Sequence, residues 1–241
     1  ALPISPPNLP GWNDIPIVRM LEERFGIRTG IHNDANACAL AEWKFGAGVG
    51  TQNMVFLTFG TGLGAGLILD GKLYAGTNDN AGELGHIRLS EFGPVGYGKC
   101  GSFEGFASGG GIAQLARFKV SEKQQMGESV AWCPPGQLDS ISAHTVALAA
   151  ASGDPLALEI YRISATYLGR GLAMVIDLLN PEVIVIGSIY VRNRELMEPF
   201  VLQEIEREAL SHARRVCSVR PAKLGEQIGD YAALSVAANL I

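Results

Sequence analysis

The hydrophobic positions along the chain follow two periods, one typical of helices and one typical of strands. Apolar residues recur at helical spacing over residues 156–179, directly after Asp154-Pro155, a favourable helix start with a capping residue and a proline in the first turn. Asn180-Pro181 should end this helix. Residues 183–186 form a continuous apolar run, which predicts a strand buried in the interior of a sheet.

Three short apolar runs between residues 54 and 75 predict an antiparallel meander. Glycines at positions 60, 62, 64 and 66 follow the first run, and Asp70-Gly71 between the last two runs is a hairpin signal. Residues 76–111 and 122–140 are expected to be loops. The pattern predicts a short strand at 29–32, and further helices at 15–25, 35–45, 194–212 and 230–241. Mixed helices and strands make the fold α/β.

Composition narrows the class of protein. The 241 residues are 47% hydrophobic, enough for a substantial core, and carry a net charge of -5 with no cluster of basic residues, which argues against a nucleic-acid surface on these residues. The four cysteines form no Cys-x-x-Cys pair and are expected to be reduced thiols. No apolar stretch of about 20 residues and no signal-peptide pattern occurs, so we expect a cytoplasmic protein without a membrane partner.

A glycine-rich turn is the first candidate for chemistry. Gly60, Thr61 and Gly62 follow an apolar run, and Gly64 continues the series. Glycines let backbone N–H groups surround a phosphate, but they equally suit a tight hairpin. The segment has neither the lysine of a Walker motif nor the spacing of a dinucleotide fingerprint. The residues alone leave both interpretations open.

Polar side chains supply the other candidates. Asp34 stands where a predicted strand meets a predicted helix, beside Asn33, and could be either a catalytic carboxylate or a simple helix cap. Glu83, His86 and Glu104 lie on glycine-rich segments and could donate to and accept from sugar hydroxyls. Each of these signals is weak by itself.

Taken in order, the same residues resemble a known family. The strings Asn33-Asp34-Ala35-Asn36-Ala37, Leu57 to Gly66, Ala81-Gly82-Glu83-Leu84-Gly85-His86 and Pro181 to Gly187 resemble motifs of the ROK family of bacterial sugar kinases and sugar-responsive repressors. The resemblance implies an actin-like (ribonuclease H-like) two-lobed sugar kinase fold. Residues 1–50 would be the remainder of a small lobe and 51–225 the large lobe, with a helix at 226–241 returning to the small lobe.

The resemblance also implies roles for individual residues. Asp34 would be the general base that takes a proton from a hexose hydroxyl, typically the 6-hydroxyl, which then attacks the γ-phosphoryl of ATP with Mg²⁺ present. The implied nucleotide-binding residues are Gly60, Thr61, Gly62, Gly64 and Gly187. The implied sugar-binding residues are Asn33, Glu83, His86 and Glu104. The family context also implies a homodimer.

Two departures from the family pattern change these expectations. Val95, Tyr97 and Ser102 stand where many members have zinc-binding cysteines, so we expect no zinc and a His86 free to face the sugar. The Asp-x-Gly-Gly-Thr segment that usually contacts ATP phosphates is absent, so the N-terminal part of the small lobe would be missing. These 241 residues alone are therefore expected to be a poor kinase.

Other functions of the same family stay open. A sugar-sensing repressor would bind nucleic acid through a helix-turn-helix ahead of these residues, and a non-catalytic sugar-binding domain would keep the same sugar contacts. The identity of the sugar does not follow from the sequence.

Overall fold

The computed structural model describes residues 11–238. Within them the chain forms helices and strands in alternating groups. The α-helices are α1 Ile17–Phe25, α2 Asp34–Phe45, α3 Phe103–Phe106, α4 Gly109–Gln125, α5 Ala143–Ala151, α6 Pro155–Leu179, α7 Ile189–Arg192, α8 Arg194–Glu208, α9 Ser211–Arg214 and α10 Ile228–Ala238. The strands are β1 Met54–Phe59, β2 Leu63–Leu69, β3 Lys72–Tyr74, β4 Val95–Gly96, β5 Lys99–Cys100, β6 Val183–Ile186 and β7 Ser218–Pro221.

A five-stranded sheet in the order β3-β2-β1-β6-β7 forms the centre. The predicted meander β1-β2-β3 is confirmed as antiparallel, and β6 and β7 run parallel to β1. Strand β6 lies between β1 and β7 and all four of its residues are buried. The position explains its uninterrupted apolar sequence, because both faces of this strand are covered.

Helices cover both faces of the sheet. Alternate residues of β1, including Met54 and Phe56, pack with Leu40 of α2, while their neighbours Val55 and Leu57 belong to a larger core built mainly with α4, α5, α6 and α8. The period-two alternation of a strand thus sends successive side chains into two different cores. Helix α2, which begins at Asp34, therefore lies directly on the sheet.

The longest helix has the ends that its sequence predicts. The Asp154 side chain accepts the Ala157 N–H at 2.9 Å, Pro155 is the first helical residue, and Asn180 ends α6 in a left-handed conformation. Helix α1, by contrast, buries none of its residues within the described part of the chain.

Several sequence predictions are wrong in detail. Residues 29–32 form no strand, and the helix predicted at 194–212 ends at Glu208, with α9 following as a separate turn. The predicted loops at 76–111 and 122–140 contain α3 and both ends of α4, whose glycine-rich start hides its helical period. Strand β7 and helix α5 were not predicted. The helix predicted at 230–241 spans 228–238, and residues 239–241 lie outside the described residues.

Candidate active site

A cleft opens where the parallel strands β1, β6 and β7 end. It has a volume of about 360 Å³, within the range of small-molecule pockets. The carboxyl ends of neighbouring parallel strands are the usual ligand position in open α/β sheets. Its lining includes Thr58 near the end of β1 and Gly60 just after it, Gly187 and Ser188 after β6, Ala222, Gly225 and Glu226 after β7, and Cys38 of α2.

Ser188 has an unusual backbone at the edge of this cleft. Its φ of 59° and ψ of -115° lie in a region that favours glycine. The Arg192 Nη2 donates to Ser188 Oγ at 3.3 Å, and Arg192 also lines the cleft. Strained residues of this kind persist where the surrounding structure holds them, often at ligand sites.

Asp34 begins α2 without capping it. Asn33 is the N-cap, since its Oδ1 accepts the N–H groups of Ala35 at 2.9 Å and Asn36 at 3.3 Å. Of the two alternatives for Asp34, the one that makes it the N-cap of α2 is therefore wrong. The Asp34 side chain is exposed, and its Oδ1 also accepts the Ala35 N–H at 2.8 Å. A carboxylate in the first turn also benefits from the positive end of the helix dipole.

The spacing along α2 places Asp34 one helical turn from a residue of the cleft. Asp34, Cys38 and Glu42 are four residues apart, so they share one face of the helix. Burial, with the nearby Asp34 and Glu42 carboxylates, raises the pKa of the Cys38 thiol to about 11. Because Cys38 lines the cleft, the Asp34 carboxylate stands one helical turn from that wall.

Glycines in β2 let the start of α2 approach the sheet. A Cβ on Gly66 would lie 2.6 Å from the Ala35 carbonyl oxygen and from the Ala39 Cβ, and one on Gly64 would lie 3.3 Å from the Ala35 Cβ. The Gly64 N–H donates to Thr58 Oγ1 at 3.0 Å. These two glycines thus have a packing role, which the sequence alone did not separate from phosphate binding.

The glycine-rich turn is held by the start of α4. The Gly109 N–H donates to the Gly60 carbonyl at 2.8 Å and the Gly110 N–H donates to the Thr61 carbonyl at 3.2 Å. These donors belong to the first turn of a helix, where N–H groups lack partners within the helix. The turn between β1 and β2 is therefore fixed from outside before any ligand binds.

Glu104 joins the same turn from the other side. Its Oε2 accepts the Leu63 N–H at 2.9 Å, and a Cβ on Gly62 would come within 2.7 Å of that oxygen. A Cβ on Gly85 would lie 2.3 Å from the Leu63 carbonyl oxygen and 3.3 Å from the Glu104 Cβ. The structure thus brings the predicted residues Gly62 and Glu104 together with the turn that precedes His86.

Glu83 precedes a single turn of 3-10 helix, Leu84–His86, and His86 is its last residue. Glu83 is exposed, whereas His86 is half-buried with its ring 6.0 Å from the Tyr97 ring. Within the described residues, the His86 Nδ1 is buried and has no hydrogen-bond partner. A buried, unpaired ring nitrogen is unusual in a folded protein and suits a residue that binds a polar ligand.

Hydrogen bonds hold the segment from Val95 to Ser102, in which we expected no zinc site. Strands β4 and β5 form a hairpin in which Tyr97 and Gly98 both have positive φ. The Gln114 side chain accepts the Val95 N–H at 2.9 Å and donates to the Val95 carbonyl at 2.8 Å. The buried Ser102 hydroxyl donates to the Gly96 carbonyl at 3.3 Å. Across residues 11–238, no group of three His, Cys, Asp or Glu side chains could hold a metal ion.

Sequence reasoning missed several residues of the site. Cys38 could have been found from its position four residues after Asp34, but Ser188 and Arg192 could not, because a serine gives no sign of a positive φ. Glu42 also escaped notice, since a glutamate in a helix is normally a surface residue. Its side chain here is fully buried.

A known protein family matches almost the whole chain. The family model described as "ROK family" matches residues 3–239. The chain belongs to the ROK family. A curated ROK relative, the glucokinase of Halalkalibacterium halodurans, is 36% identical over 91% of this chain, which spans 66% of that protein. The chain thus covers about two thirds of the length of this relative.

Solved ROK structures share the fold. A ROK family glucokinase from Streptomyces griseus, in complex with glucose and AMPPNP, is 32% identical, with a TM-score of 0.76 over 92% of this chain and 72% of its own. A ROK family transcriptional regulator, a homologue of the Escherichia coli Mlc protein, is 31% identical, with a TM-score of 0.81 over 96% of this chain and 58% of its own. The expected actin-like sugar kinase fold is thereby confirmed.

No helix between residues 11 and 238 combines the length and the apolar character needed to cross a bilayer.

Proposed function

We propose that this chain forms the body of an ATP-dependent hexose kinase. The observation that carries the proposal is the position of Asp34: it begins α2, leaves the capping to Asn33, and shares a helix face with a residue of the cleft. An exposed carboxylate one helical turn from a cleft of ligand size suits a general base. The glucokinase relatives favour a kinase over other family functions.

The proposed chemistry starts at the sugar. Asp34 accepts the proton of a hexose hydroxyl, which we take to be the 6-hydroxyl, as that oxygen attacks the γ-phosphoryl group of ATP. Transfer of this kind depends mainly on positioning and on stabilisation of charge. We assign the sugar contacts to Asn33, Glu83, His86 and Glu104. Glu104 also fixes the turn at Leu63, so it would position sugar and turn together.

We assign the nucleotide to the cleft and the adjoining turn. Gly60, Thr61 and Gly62 face the phosphates, Gly64 supports the turn by admitting α2, and Gly187 lies in the cleft near the adenosine. Polar groups of Thr58, Ser188, Arg192 and Glu226 are compatible with a nucleotide. Mg²⁺, held mainly by phosphate oxygens and water, would neutralise charge on the transferred group. We propose no zinc, because the hydrogen-bonded hairpin takes the place of the metal loop.

The proposed lobes follow the same scheme. Residues 1–50 and 226–241, with helix α10, would belong to a small lobe and 51–225 to a large lobe, and closure between them would exclude water. The protein would act in the cytoplasm, as a homodimer. The 241 residues contain no Asp-x-Gly-Gly-Thr string, so we expect slow turnover from these residues alone.

A panel of hexoses incubated with Mg²⁺-ATP tests the proposal. We expect a sugar-dependent release of ADP and a 6-phosphorylated product, identified by mass spectrometry and NMR. Asp34→Asn should lower kcat by about 100-fold to 10,000-fold because the general base is lost. The matched control is Asp154→Asn, which alters a helix cap far along the chain from Asp34. Unchanged phosphorylation by Asp34→Asn would exclude Asp34 as the base.

A sugar-sensing repressor is the second candidate. It is favoured by the TM-score of 0.81 to a ROK transcriptional regulator. Such a protein would bind a sugar through Glu83, His86 and Glu104 but transfer no phosphate. Calorimetric titration with the same sugars distinguishes the two, since binding without ADP release at any ATP concentration supports the repressor.

A further inference from the structure

We propose that Glu42 is a positioning residue that ties one wall of the cleft to the helix carrying Asp34. The inference rests on the proposed function for its effect on nucleotide binding, but the contacts that carry it do not. They involve the buried carboxylate of Glu42, the segment at 222–226, and the end of α2.

The Glu42 carboxylate is fully buried and accepts three backbone N–H groups. Its Oε1 accepts the Lys223 N–H at 2.9 Å and the Leu224 N–H at 2.8 Å, and its Oε2 accepts the Ala47 N–H at 2.7 Å. A buried carboxylate is costly unless such hydrogen bonds compensate for lost hydration. Hydrogen bonds to an ionised acceptor are also about twice as strong as neutral ones.

The Glu42 carboxylate connects two segments that are distant in sequence. Glu42 and Ala47 belong to the end of α2 and the turn after it, whereas Lys223 and Leu224 follow β7, about 180 residues later. A Cβ on Gly46 would lie 2.0 Å from the Glu42 Oε2, so a side chain at position 46 would displace the carboxylate. The local chain is therefore shaped around this side chain.

The segment that Glu42 holds is a wall of the cleft. Ala222, Gly225 and Glu226 line it on either side of the two bonded N–H groups. Across the cleft, Ser188 follows β6, and Cys38 of α2 lies one helical turn before Glu42. Glu42 thus fixes the spacing between the nucleotide wall and the helix face that bears Asp34.

Both oxygens of the carboxylate are needed for this arrangement. Glutamine at 42 could still accept from Lys223 and Leu224 through its one carbonyl oxygen, but its amide nitrogen would meet the Ala47 N–H, donor against donor. Glu42→Gln should therefore loosen the attachment of residues 222–226 to the end of α2 without leaving a cavity. Leu224→Pro provides the complementary change, because its φ of -76° suits proline and the substitution removes one of the three donors.

The first experiment measures amide hydrogen exchange in the 241-residue chain without any ligand. Glu42→Gln is expected to raise exchange at least tenfold in the peptide covering 222–226, while peptides covering β1 and β6 stay within twofold of wild type. The matched control is Glu204→Gln in α8, a buried carboxylate bonded to Arg170 and Arg207 outside the cleft. It should leave the 222–226 peptide unchanged. Equal exchange in wild type and Glu42→Gln would overturn the proposal.

The second experiment titrates AMPPNP with Mg²⁺ by calorimetry, at a temperature where all variants are folded. Glu42→Gln and Leu224→Pro should each weaken binding by about tenfold, and together by much less than the product of the two, because they break one network. Glu204→Gln should bind as wild type does, even if its Tm falls. Loss of binding in the control to the same extent would assign Glu42 a purely structural role.

The two experiments separate this inference from the proposed function. If wild type binds AMPPNP but phosphorylates no sugar, the kinase proposal fails and the positioning role is still decided by the titration. If wild type binds no nucleotide, the exchange of residues 222–226 alone decides whether Glu42 holds the wall.

Discussion

At the scale of single residues, the site holds a serine in a backbone conformation that favours glycine. Ser188 adopts a positive φ beside Gly60 and Gly187, and a non-glycine residue held there costs roughly 1–3 kcal/mol. Its neighbours β6 and α7 impose the conformation, since the chain must turn sharply after a buried strand. No pattern in the sequence predicts this.

Ser188→Gly should therefore stabilise the protein. Relief of the strain exceeds the extra entropy of glycine in the unfolded chain, about 0.5–1 kcal/mol, so we expect a gain of about 1 kcal/mol in the free energy of unfolding. Ser188→Ala is the control, because it removes the hydroxyl that Arg192 contacts but keeps the strain. Urea unfolding of the three proteins measures the difference. A Ser188→Gly protein less stable than Ser188→Ala would contradict the assignment of strain.

Cys38 should be an unreactive thiol despite lining a cleft. Burial and the neighbouring carboxylates raise its pKa from 9.0 to about 11, which lowers the thiolate fraction at pH 8 by about 100-fold. The raised pKa also lowers the reactivity of Cys38, because only the thiolate attacks. Iodoacetamide labelling, followed by peptide mass mapping, should rise about tenfold per pH unit between 8 and 10.

Asp34→Asn provides the control for Cys38. Removing one of the charges that raise its pKa should increase labelling at pH 8, although burial, the larger cause, remains. Labelling of wild-type Cys38 at the rate of a free thiol at pH 8 would contradict the described burial.

At the scale of elements, the sequence predicted best what depends on local chemistry. The sequence predicted both ends of α6, at Asp154-Pro155 and at Asn180-Pro181. It also predicted the β1-β2-β3 meander with its Asp70-Gly71 turn. Both succeeded because caps and turns are specified by nearby residues. Strand β7 and helix α4 were not, because tertiary contacts complete them. The first N–H groups of α4 donate to Gly60 and Thr61, about fifty residues earlier.

The β4-β5 hairpin should be stable without metal. The side chains of Gln114, Ser102 and Arg88 hold it by hydrogen bonds to its backbone. EDTA should therefore leave the Tm of the wild type unchanged. Plasma mass spectrometry should find less than about 0.1 zinc per chain, the background for a chain lacking four ligands. Gln114→Ala should cost about 1 kcal/mol, since two partly exposed hydrogen bonds are lost. One tightly held zinc per chain, or a Tm lowered by EDTA, would show that another ligand set exists.

At the scale of the whole molecule, the site is a product of topology. Asp34, Gly60 and Gly187 lie on three separate segments, and the sequence could associate them only through the order of the motifs. The parallel arrangement of β1, β6 and β7 brings their carboxyl ends to one edge, where the cleft opens. The wall at 222–226 and its link to Glu42 could not be predicted, because they depend on the register of β7.

The two cores on opposite faces of the sheet should differ in their influence on the cleft. Leu40 lies in the core under α2, and Leu168 lies in the core under α6; both are almost fully buried. Leu40→Ala and Leu168→Ala should each lower the free energy of unfolding by about 2–5 kcal/mol. Because both cores share one sheet, each variant should still unfold in a single transition by fluorescence and by circular dichroism.

Under conditions where both variants are folded, only Leu40→Ala should weaken AMPPNP binding, by about threefold to tenfold, because a cavity beneath α2 lets the face bearing Asp34, Cys38 and Glu42 shift relative to the sheet. A shift of about 1 Å in a positioning element can reduce a rate by about 100-fold, so kcat with a hexose should fall further than affinity. Equal losses in the two variants would mean that general stability, rather than the seating of α2, sets the geometry of the cleft.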